Sequence, residues 1–595
     1  MEEMKRTINC GSLTAKDVGK TVILNGWVHR NRNHGGVHFI NIRDRYGITQ
    51  VVLSEEASNE LVDIATSLKL EYCIAVEGTV ELRPDSMINK DMATGEIEVV
   101  ASQIQILNSS KVLPFNIDDE KCQAREELRL KYRYLDMRAS GMQRRIKLRH
   151  DVAFATREYL NNLDFLEIET PTFIKSTPEG ARDFLVPSRL HHGKFFALPQ
   201  SPQLYKQLLM VSGFDKYFQI ARCYRDEDAR GDRQLEFTQI DMEMSFVSKE
   251  DVYNVIEGMI CHILKKTKGV DIPRPFNRID YYDAMNLYGS DKPELRFDMK
   301  IINIDSIAKE SDFSVFKEAI ANGGTVRMIV VKGVANEFSR KKISELEEVA
   351  KVYGAKGLAW TKVTEGGFEG GISKFFEGKA KPIIDVVQCD IGDLLLFVAD
   401  TWKVVCSALG AVRNKLGHEL SLIDENSFYF AWIENFPLFE YNQEEQKWEP
   451  AHHMFSMPQE RFIENMEISP GEVIGDLYDL VCNGYELGSG SIRIHDPAIQ
   501  QRVFNIVGFD PQEAQRRFGF LLDAFSYGAP PHGGFAAGLD RLVMILAGEN
   551  SIKEVIAFPK NNVGASPMDE SPSCVNNEQL EELALAITSY EEDEA

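Results

Sequence analysis

No stretch of this 595-residue chain stays apolar for the roughly 20 residues that a membrane-spanning helix requires. The N-terminus also lacks the charged, apolar and then small-residue order of a secretory leader, so the cytoplasm is the expected location. Cysteine is sparse: nine scattered residues, an odd number with no CxxC pair, argue against a disulfide framework and for reduced, mostly buried thiols. Neither a Walker A sequence nor a dinucleotide-type glycine fingerprint occurs, so the two common nucleotide cradles are missing. Positive charge is short as well, with 67 Lys and Arg against 91 Asp and Glu and a net charge of −24. That deficit sets solubility; a polyanion partner needs only a local basic surface.

Such a surface is present. Between Arg125 and His150 nine basic residues (Arg125, Arg129, Lys131, Arg133, Arg138, Arg144, Arg145, Lys147 and Arg149) face three acids (Glu126, Glu127 and Asp136). The charge pattern fits a solvated helix face as well as a phosphate track, and its place between two domains makes the track attractive. Three or four domains are expected at this length, in a composition ordinary for a globular protein (44% hydrophobic, 27% charged). Residues 21–107 read as three strands, a helix near residues 55–70 and two further strands, the order of an OB-fold barrel. Arg32, Phe39 and Gln50 sit on or beside the first three strands. They suit stacking and hydrogen bonding to unpaired bases, or equally a core Phe with two surface polar residues.

The most informative segment runs from Tyr217 to Phe246, where two β-like runs flank a loop dense in charges of both signs. In the second run Ile240, Met242, Met244 and Phe246 alternate with Phe237, Gln239, Asp241 and Glu243, so the first set is predicted to face a core. The other face combines an aromatic plate with acceptors, and the first run brings Arg225 to the side of Gln219, Ala221 and Cys223. An aromatic surface, a guanidinium and carboxylates suit a nucleotide better than they suit a solvated hairpin. Farther on, GGFAAGLDRLVMILAG places Leu539, Leu542, Val543 and Leu546 at helical spacing, with Arg541 at the helix start behind a strand of small residues. Between these elements lie Asp479 and Glu486, hard oxygen donors suited to Mg²⁺ on nucleotide phosphates or to structural ion pairing.

Arginine, acidic loop and a Phe-bearing strand resemble motif 2 of the class II aminoacyl-tRNA synthetases. The resemblance runs nearly end to end and sharpens to the bacterial-type aspartyl-tRNA synthetases. It implies an α/β multidomain (α+β) protein: an OB-fold anticodon-binding domain over 1–110, a hinge over 111–140, and a catalytic domain of antiparallel sheet and helices split into 141–284 and 424–595. Residues 285–423 are then an inserted α/β accessory domain without catalytic residues. The helix and strand ending at Pro171 resemble motif 1, which implies a homodimer with Pro171 at the two-fold interface. The implied reaction activates L-aspartate with ATP to aspartyl-adenylate, releases pyrophosphate and passes aspartate to the 3′ end of tRNA-Asp. Mg²⁺ accompanies ATP, and neither a membrane nor DNA is an expected partner.

Residue by residue, the resemblance implies that Arg225 grips the α-phosphate and the amino acid, Phe237 stacks on adenine and Arg541 reaches the γ-phosphate. With Glu486 these form the implied catalytic set. Glu227, Gln234, Gly538, Leu539 and Asp540 match further ATP contacts, and Asp479 joins Glu486 at Mg²⁺. Lys206 and Arg493 match ligands of the substrate side-chain carboxylate; fixed cations reject the isosteric amide because it leaves them desolvated and unpaired. Gln203 and Asp241 suit the substrate ammonium, Glu179 lies in a loop that closes on the amino acid, and His452 and His453 stand at the family's histidine pair. The family continues with Pro-Phe-Thr, whereas this chain has Met454-Phe455-Ser456. Arg32, Phe39 and Gln50 match anticodon contacts, and His34 resembles members that charge tRNA-Asn as well as tRNA-Asp. A lysine enzyme would want acids at Lys206 and Arg493, and the asparagine enzyme lacks the insertion. A non-catalytic RNA-binding paralogue should have lost Arg225, Glu486 or Arg541, and all three are present.

Overall fold

The computed structural model describes residues 4–54, 56–117, 122–177, 181–376 and 380–588. Glu179 and the acidic tail at 591–595 lie outside the described residues. Among the described residues no helix is long and apolar enough to cross a membrane, and all nine cysteines are free. The chain forms two compact units, one of Met1–Lys147 with Ala557–Asn561 and Ala565–Pro572, the other of Leu148–Ile556 with Asn562–Gly564 and Ser573–Ala595.

In the first unit β1 (Thr21–His34), β2 (Val37–Asp44), β3 (Gly47–Val52), β4 (Cys73–Leu82) and β5 (Ile97–Asn108) close a barrel in the order β1-β2-β3-β5-β4. Helix α1 (Asn59–Ser67) joins β3 to β4, which is the OB-fold arrangement. Period-two alternation fills the barrel: Leu24, Ile40, Ile42, Val51, Ile74 and Val99 have no exposed surface. Phe39, one residue from Ile40, is only half buried, so it is not a core residue. It pairs in register with Arg32, while Asn41, two residues on, pairs with Gln50. Arg32, Phe39 and Gln50 therefore share one outer face, and His34 stands exposed at the end of β1.

Four of the nine basic residues of the run are tied down. Arg129 and Arg133 grip Asp136 at 3.0 and 2.5 Å, and Arg138 reaches Glu71 at 2.8 Å, which Arg43 also holds. In the second unit Arg149 pairs with Asp540 at 2.5 Å. The run is thus divided: these four arginines are paired within the fold, while Arg125, Lys131, Arg144 and Lys147 are exposed.

The second unit is built on an eight-stranded sheet. Its strands are β6 (Leu166–Glu167), β7 (Lys216–Tyr224), β8 (Glu236–Ser245), β9 (Asn277–Asp280), β10 (Phe430–Glu434), β11 (Leu477–Cys482), β12 (Tyr485–Ile492) and β13 (His532–Gly538), in the order β9-β10-β11-β12-β13-β8-β7-β6. Pairing is antiparallel through the middle and parallel only for β9–β10 and β6–β7 at the edges. Helices α2 (Gln203–Val211), α3 (Lys249–Lys268) and α4 (Leu539–Ala547) belong to this unit. Ile240, Met242 and Met244 of β8 enter one core with α3 and α4, as alternation predicts. Phe246 does not: β8 ends at Ser245, and Phe246 takes φ +58 and is 72% exposed as the chain turns toward α3.

A separate five-stranded antiparallel sheet lies between β9 and β10, in the order Ile302–Asn303, Thr325–Val331, Leu394–Asp400, Ala359–Thr364, Gly367–Glu369. Neighbouring residues of its strands serve two cores: Ile329 and Leu396 join one, Met328 and Phe397 the other. Helix Trp402–Glu419 belongs to the first of these cores and meets the end of helix Tyr281–Tyr288 at a glycine pair. A Cβ on Gly410 would lie 2.7 Å from the Gly289 carbonyl oxygen, and Gly289 itself has φ +74. Gly410→Val is therefore expected to cost about 1–3 kcal/mol through overpacking, read as a lowered midpoint of thermal unfolding.

Candidate active site

The site rests on the face of the large sheet that β8 shows through Phe237, Gln239, Asp241 and Glu243. In register across β13 these meet small residues, Gln239 against Gly538, Asp241 against Ala536 and Glu243 against Gly534. β12 continues the floor with Ser489 and Ser491. Small side chains leave space above the sheet, and at Gly534 the fit is tightest: an added Cβ would collide with the Glu243 carboxylate and the Met242 carbonyl. Two adjoining cavities of about 290 and 200 Å³ open here and share Arg225, Glu227, Gln239, Ser489 and Ala536.

The first cavity is set by four buried ions. Lys206, from α2, lies 2.7 Å from Asp241 Oδ1 and 3.2 Å from Glu243 Oε2. Arg493 reaches Glu243 with Nε at 2.9 Å and Nη2 at 3.2 Å, and its Nη1 donates to Ser491 Oγ at 2.6 Å. None of the four is more than 4% exposed. Burial alone would raise the Glu243 carboxyl, but Arg493 and Lys206 overcome it and hold it down to about 2, from an ordinary 4.5. Asp241 moves the other way: burial raises it, Lys206 offsets only part, and the charge of Glu243 adds to the rise. Asp241 Oδ2 and Gln203 Nε2 are buried without a hydrogen-bond partner, and both residues line the cavity.

His452 and His453 line the same cavity. His452 packs edge-on against Phe436 at 4.6 Å, lies 4.0 Å from Asp479 Oδ1, and is pushed down chiefly by burial. His453 Nδ1 accepts from the Phe455 backbone N–H at 3.1 Å. In the Met454-Phe455-Ser456 segment Phe455 enters an apolar cluster with Phe504 and Phe518, and Ser456 Oγ donates to Ser491 Oγ at 3.0 Å.

The second cavity brings together Arg225, Glu227, Gln234, Phe237, Glu486, Gly538 and Arg541. The Arg225 guanidinium stands 5.1 Å over the Phe237 ring. Arg541 pairs with Asp232 at 3.2 Å and donates to the Glu486 carbonyl, while its Nε is buried without a partner. Glu227 pairs with Arg233 at 3.3 Å. Asp479 is 4% exposed, its Oδ1 has no hydrogen-bond partner, and burial followed by the charges of Glu486 and Asp291 raises its carboxyl well above the usual range. Among the described residues no group of three or more His, Cys, Asp or Glu could hold a metal ion alone. Two carboxylates fit a Mg²⁺ that arrives with other ligands on nucleotide phosphates.

Two expected nucleotide contacts have side chains engaged within the fold. Leu539 is 2% exposed and belongs to the main core, because the helical spacing of α4 turns it inward with Leu542 and Val543. Asp540 borders the second cavity, but both of its oxygens are taken: Arg149 holds Oδ1, and the Thr238 backbone N–H donates to Oδ2 at 2.7 Å. Two residues without an assigned role are central. Glu243 joins Lys206 to Arg493, and alternation with Asp241 had already put it on the site face. Asp232 holds Arg541, and nothing in the acidic loop distinguishes it from its neighbours in sequence.

Fold and site together are those of a class II aminoacyl-tRNA synthetase. The family model described as tRNA synthetases class II (D, K and N) matches residues 125–562, and that of an OB-fold nucleic acid binding domain matches 22–107. The chain belongs to the class II tRNA synthetases of this D, K and N family. It is 64% identical to an aspartate–tRNA(Asp/Asn) ligase of Treponema denticola over 99% of this chain and 100% of that one. It is 51% identical to an aspartate–tRNA ligase of Macrococcus caseolyticus over 98% of both. In fold it is similar to asparaginyl-tRNA synthetase from Pyrococcus horikoshii complexed with asparaginyl-adenylate, with TM-score 0.59 and 20% identity over 93% of this chain and 98% of that one.

Removing the charge of Glu243 leaves two buried cations with one carboxylate between them. Glu243→Gln is expected to lower stability by about 3–5 kcal/mol at neutral pH, measured by chemical unfolding. Because the folded-state value of Glu243 is depressed, its contribution is complete above 4.5 and fades as pH falls toward 2. The gap between wild type and variant should close over that window.

Proposed function

We propose that this chain is an aspartate–tRNA ligase, and that the observation carrying the reading is the pair of buried cations, Lys206 and Arg493, at a small polar cavity. The names of the relatives above support the choice of amino acid. Aspartate enters with its side-chain carboxylate at Arg493 and Lys206. Arg493 Nη1 exchanges the neutral Ser491 hydroxyl for a charged acceptor, which an amide could not match. The free Oδ2 of Asp241 takes the substrate ammonium beside Gln203, His452 and His453 close the cavity wall, and Glu179 is a further contact of the amino acid.

ATP occupies the second cavity. Adenine stacks on Phe237 once Arg225 turns from that ring to the α-phosphate, and Arg541 trades Asp232 for the γ-phosphate. Glu227, Gln234 and the backbone at Gly538 add contacts, and Asp479 with Glu486 would hold a Mg²⁺, which would supply charge neutralisation for the phosphates. The aspartate α-carboxylate attacks the α-phosphorus and pyrophosphate leaves; the 3′-terminal ribose hydroxyl of tRNA then attacks the aspartyl carbonyl, and AMP leaves with the bond to its phosphate broken. No side chain acts as nucleophile; Arg225 stabilises charge that grows on the α-phosphate oxygens. Arg225→Ala is expected to lower aspartate-dependent pyrophosphate exchange by about 10²–10³-fold.

Arg32, Phe39, Gln50 and His34 form the anticodon face, Pro171 lies at a homodimer interface, the segment 285–423 is an accessory insertion and the enzyme works in the cytoplasm. A second reading, that tRNA-Asn is charged as well, is favoured by the tRNA(Asp/Asn) ligase names of the Treponema and Borrelia relatives and by the exposure of His34. Aspartylation of tRNA-Asp and tRNA-Asn transcripts in parallel tests both. Charging of tRNA-Asp alone retains the ligase and removes the second reading; no aspartate-dependent pyrophosphate exchange removes both. If both RNAs are charged, His34→Ala should change their ratio and leave the exchange rate unaltered.

A further inference from the structure

The loop between β7 and β8 is held in place by its backbone. At its tip Arg230 and Arg233 exchange N–H to carbonyl bonds at 3.0 and 3.3 Å, and the Gly231 carbonyl accepts from the Ile552 N–H at 2.9 Å. At its base the Arg225 N–H donates to the Leu235 carbonyl at 2.8 Å, and the Asp226 N–H donates to the Arg182 carbonyl at 3.1 Å. These bonds set the course of the loop without help from the Asp232 side chain, which borders the second cavity.

There Asp232 meets Arg541. Its carboxylate lies 3.2 Å from Arg541 Nη2, while Nη1 donates to the Glu486 carbonyl and Nε is buried without a partner. The two side chains are 20% and 34% exposed, so water screens the pair only in part. An acid that already satisfies a phosphate-binding guanidinium has two effects. It keeps the arginine compensated and aimed across the cavity before a ligand arrives, and it must be displaced when one does. A ligand phosphate therefore loses the worth of that pair, and it then lies near a carboxylate that the anchored loop keeps close, where like charges repel.

We propose that Asp232 is a built-in competitor of the terminal phosphates for Arg541, loosening both ATP and the pyrophosphate that ATP leaves behind. The γ-phosphate of ATP becomes one end of pyrophosphate, so both ligands face the same contest, whereas AMP does not extend to Arg541. As pyrophosphate departs, the waiting carboxylate takes back the guanidinium, and release does not strand a half-buried cation. Asp232 acts through Arg541 and is a positioning residue. This role rests on the proposed contact of Arg541 with the γ-phosphate.

Calorimetric titration of the full-length protein with ATP, pyrophosphate and AMP tests it, each with Mg²⁺ and without aspartate so that no adenylate forms. Asp232→Asn keeps the shape and removes the charge. It should tighten ATP and pyrophosphate by about 3- to 10-fold and leave AMP within about twofold. Asp232→Glu restores the charge and should return both affinities toward those of the wild type. A loss of local structure would instead weaken all three ligands. The proposal is overturned if Asp232→Asn weakens ATP and pyrophosphate or leaves them unchanged, or if Asp232→Glu tightens them as Asp232→Asn does. It is overturned as well if AMP tightens as much as ATP, which would place Arg541 away from the terminal phosphates. The expected shifts in a protein without aspartate-dependent pyrophosphate exchange would remove the ligase reading and still support Asp232 as the competitor.

Discussion

Glu243 holds the reaction chamber together by accepting from Arg493 and lying against Lys206 in a space that water does not reach. Buried ions are tolerable only when each compensates another. That condition ties four separate pieces of chain to one another: α2 must deliver Lys206, the segment after β12 must deliver Arg493, β8 must present two acids, and β13 must be thin enough to let them stand. Compensation is uneven, and the unevenness is useful. Glu243 is held ionised by both cations, whereas Asp241 keeps one oxygen without a partner and is driven upward by burial. The cluster is stable as it stands and still lacks a cation at one point, which suits a zwitterion that brings both a carboxylate and an ammonium.

Much of this was legible because alternation is a local signal. The period of β8 separated Ile240, Met242 and Met244 from Gln239, Asp241 and Glu243, and the spacing in α4 placed Arg541 at a helix start. What alternation cannot show is which like-charged neighbour on a face does which work. Asp241 and Glu243 differ only in partners that come from residues 206 and 493, far away in sequence. The same limit explains the other departures. Asp540, matched in sequence to an ATP contact, is held by Arg149 from far away in the chain. The basic run reads as a row of like charges until Glu71 and Asp540, both outside it in sequence, are seen to hold two of its arginines. Phe246 continues the pattern of β8 one residue past the point where the backbone leaves the strand.

The inserted sheet makes the opposite case. Its residues carried no recognisable chemistry in sequence, and they build two cores: along strand Leu394–Asp400, Leu396 joins one and Phe397 the other. The neighbouring strand Ala359–Thr364 repeats the split, Trp360 lying against Leu396 and Ala359 against Phe397.

The strand β13 reads His532, Gly533, Gly534, Phe535, Ala536, Ala537, Gly538, and its site-facing positions are Gly, Ala and Gly. Nothing smaller exists to replace a glycine, so evolution can alter Gly534 and Gly538 only by adding atoms. Variation at these two positions is therefore one-directional: every change narrows the chamber and none widens it. Alanine scanning, which elsewhere removes contacts, would here act as a wedge. A search for variants that accept a larger amino acid must look instead to the walls, where Gln203 and His452 still have atoms to give up.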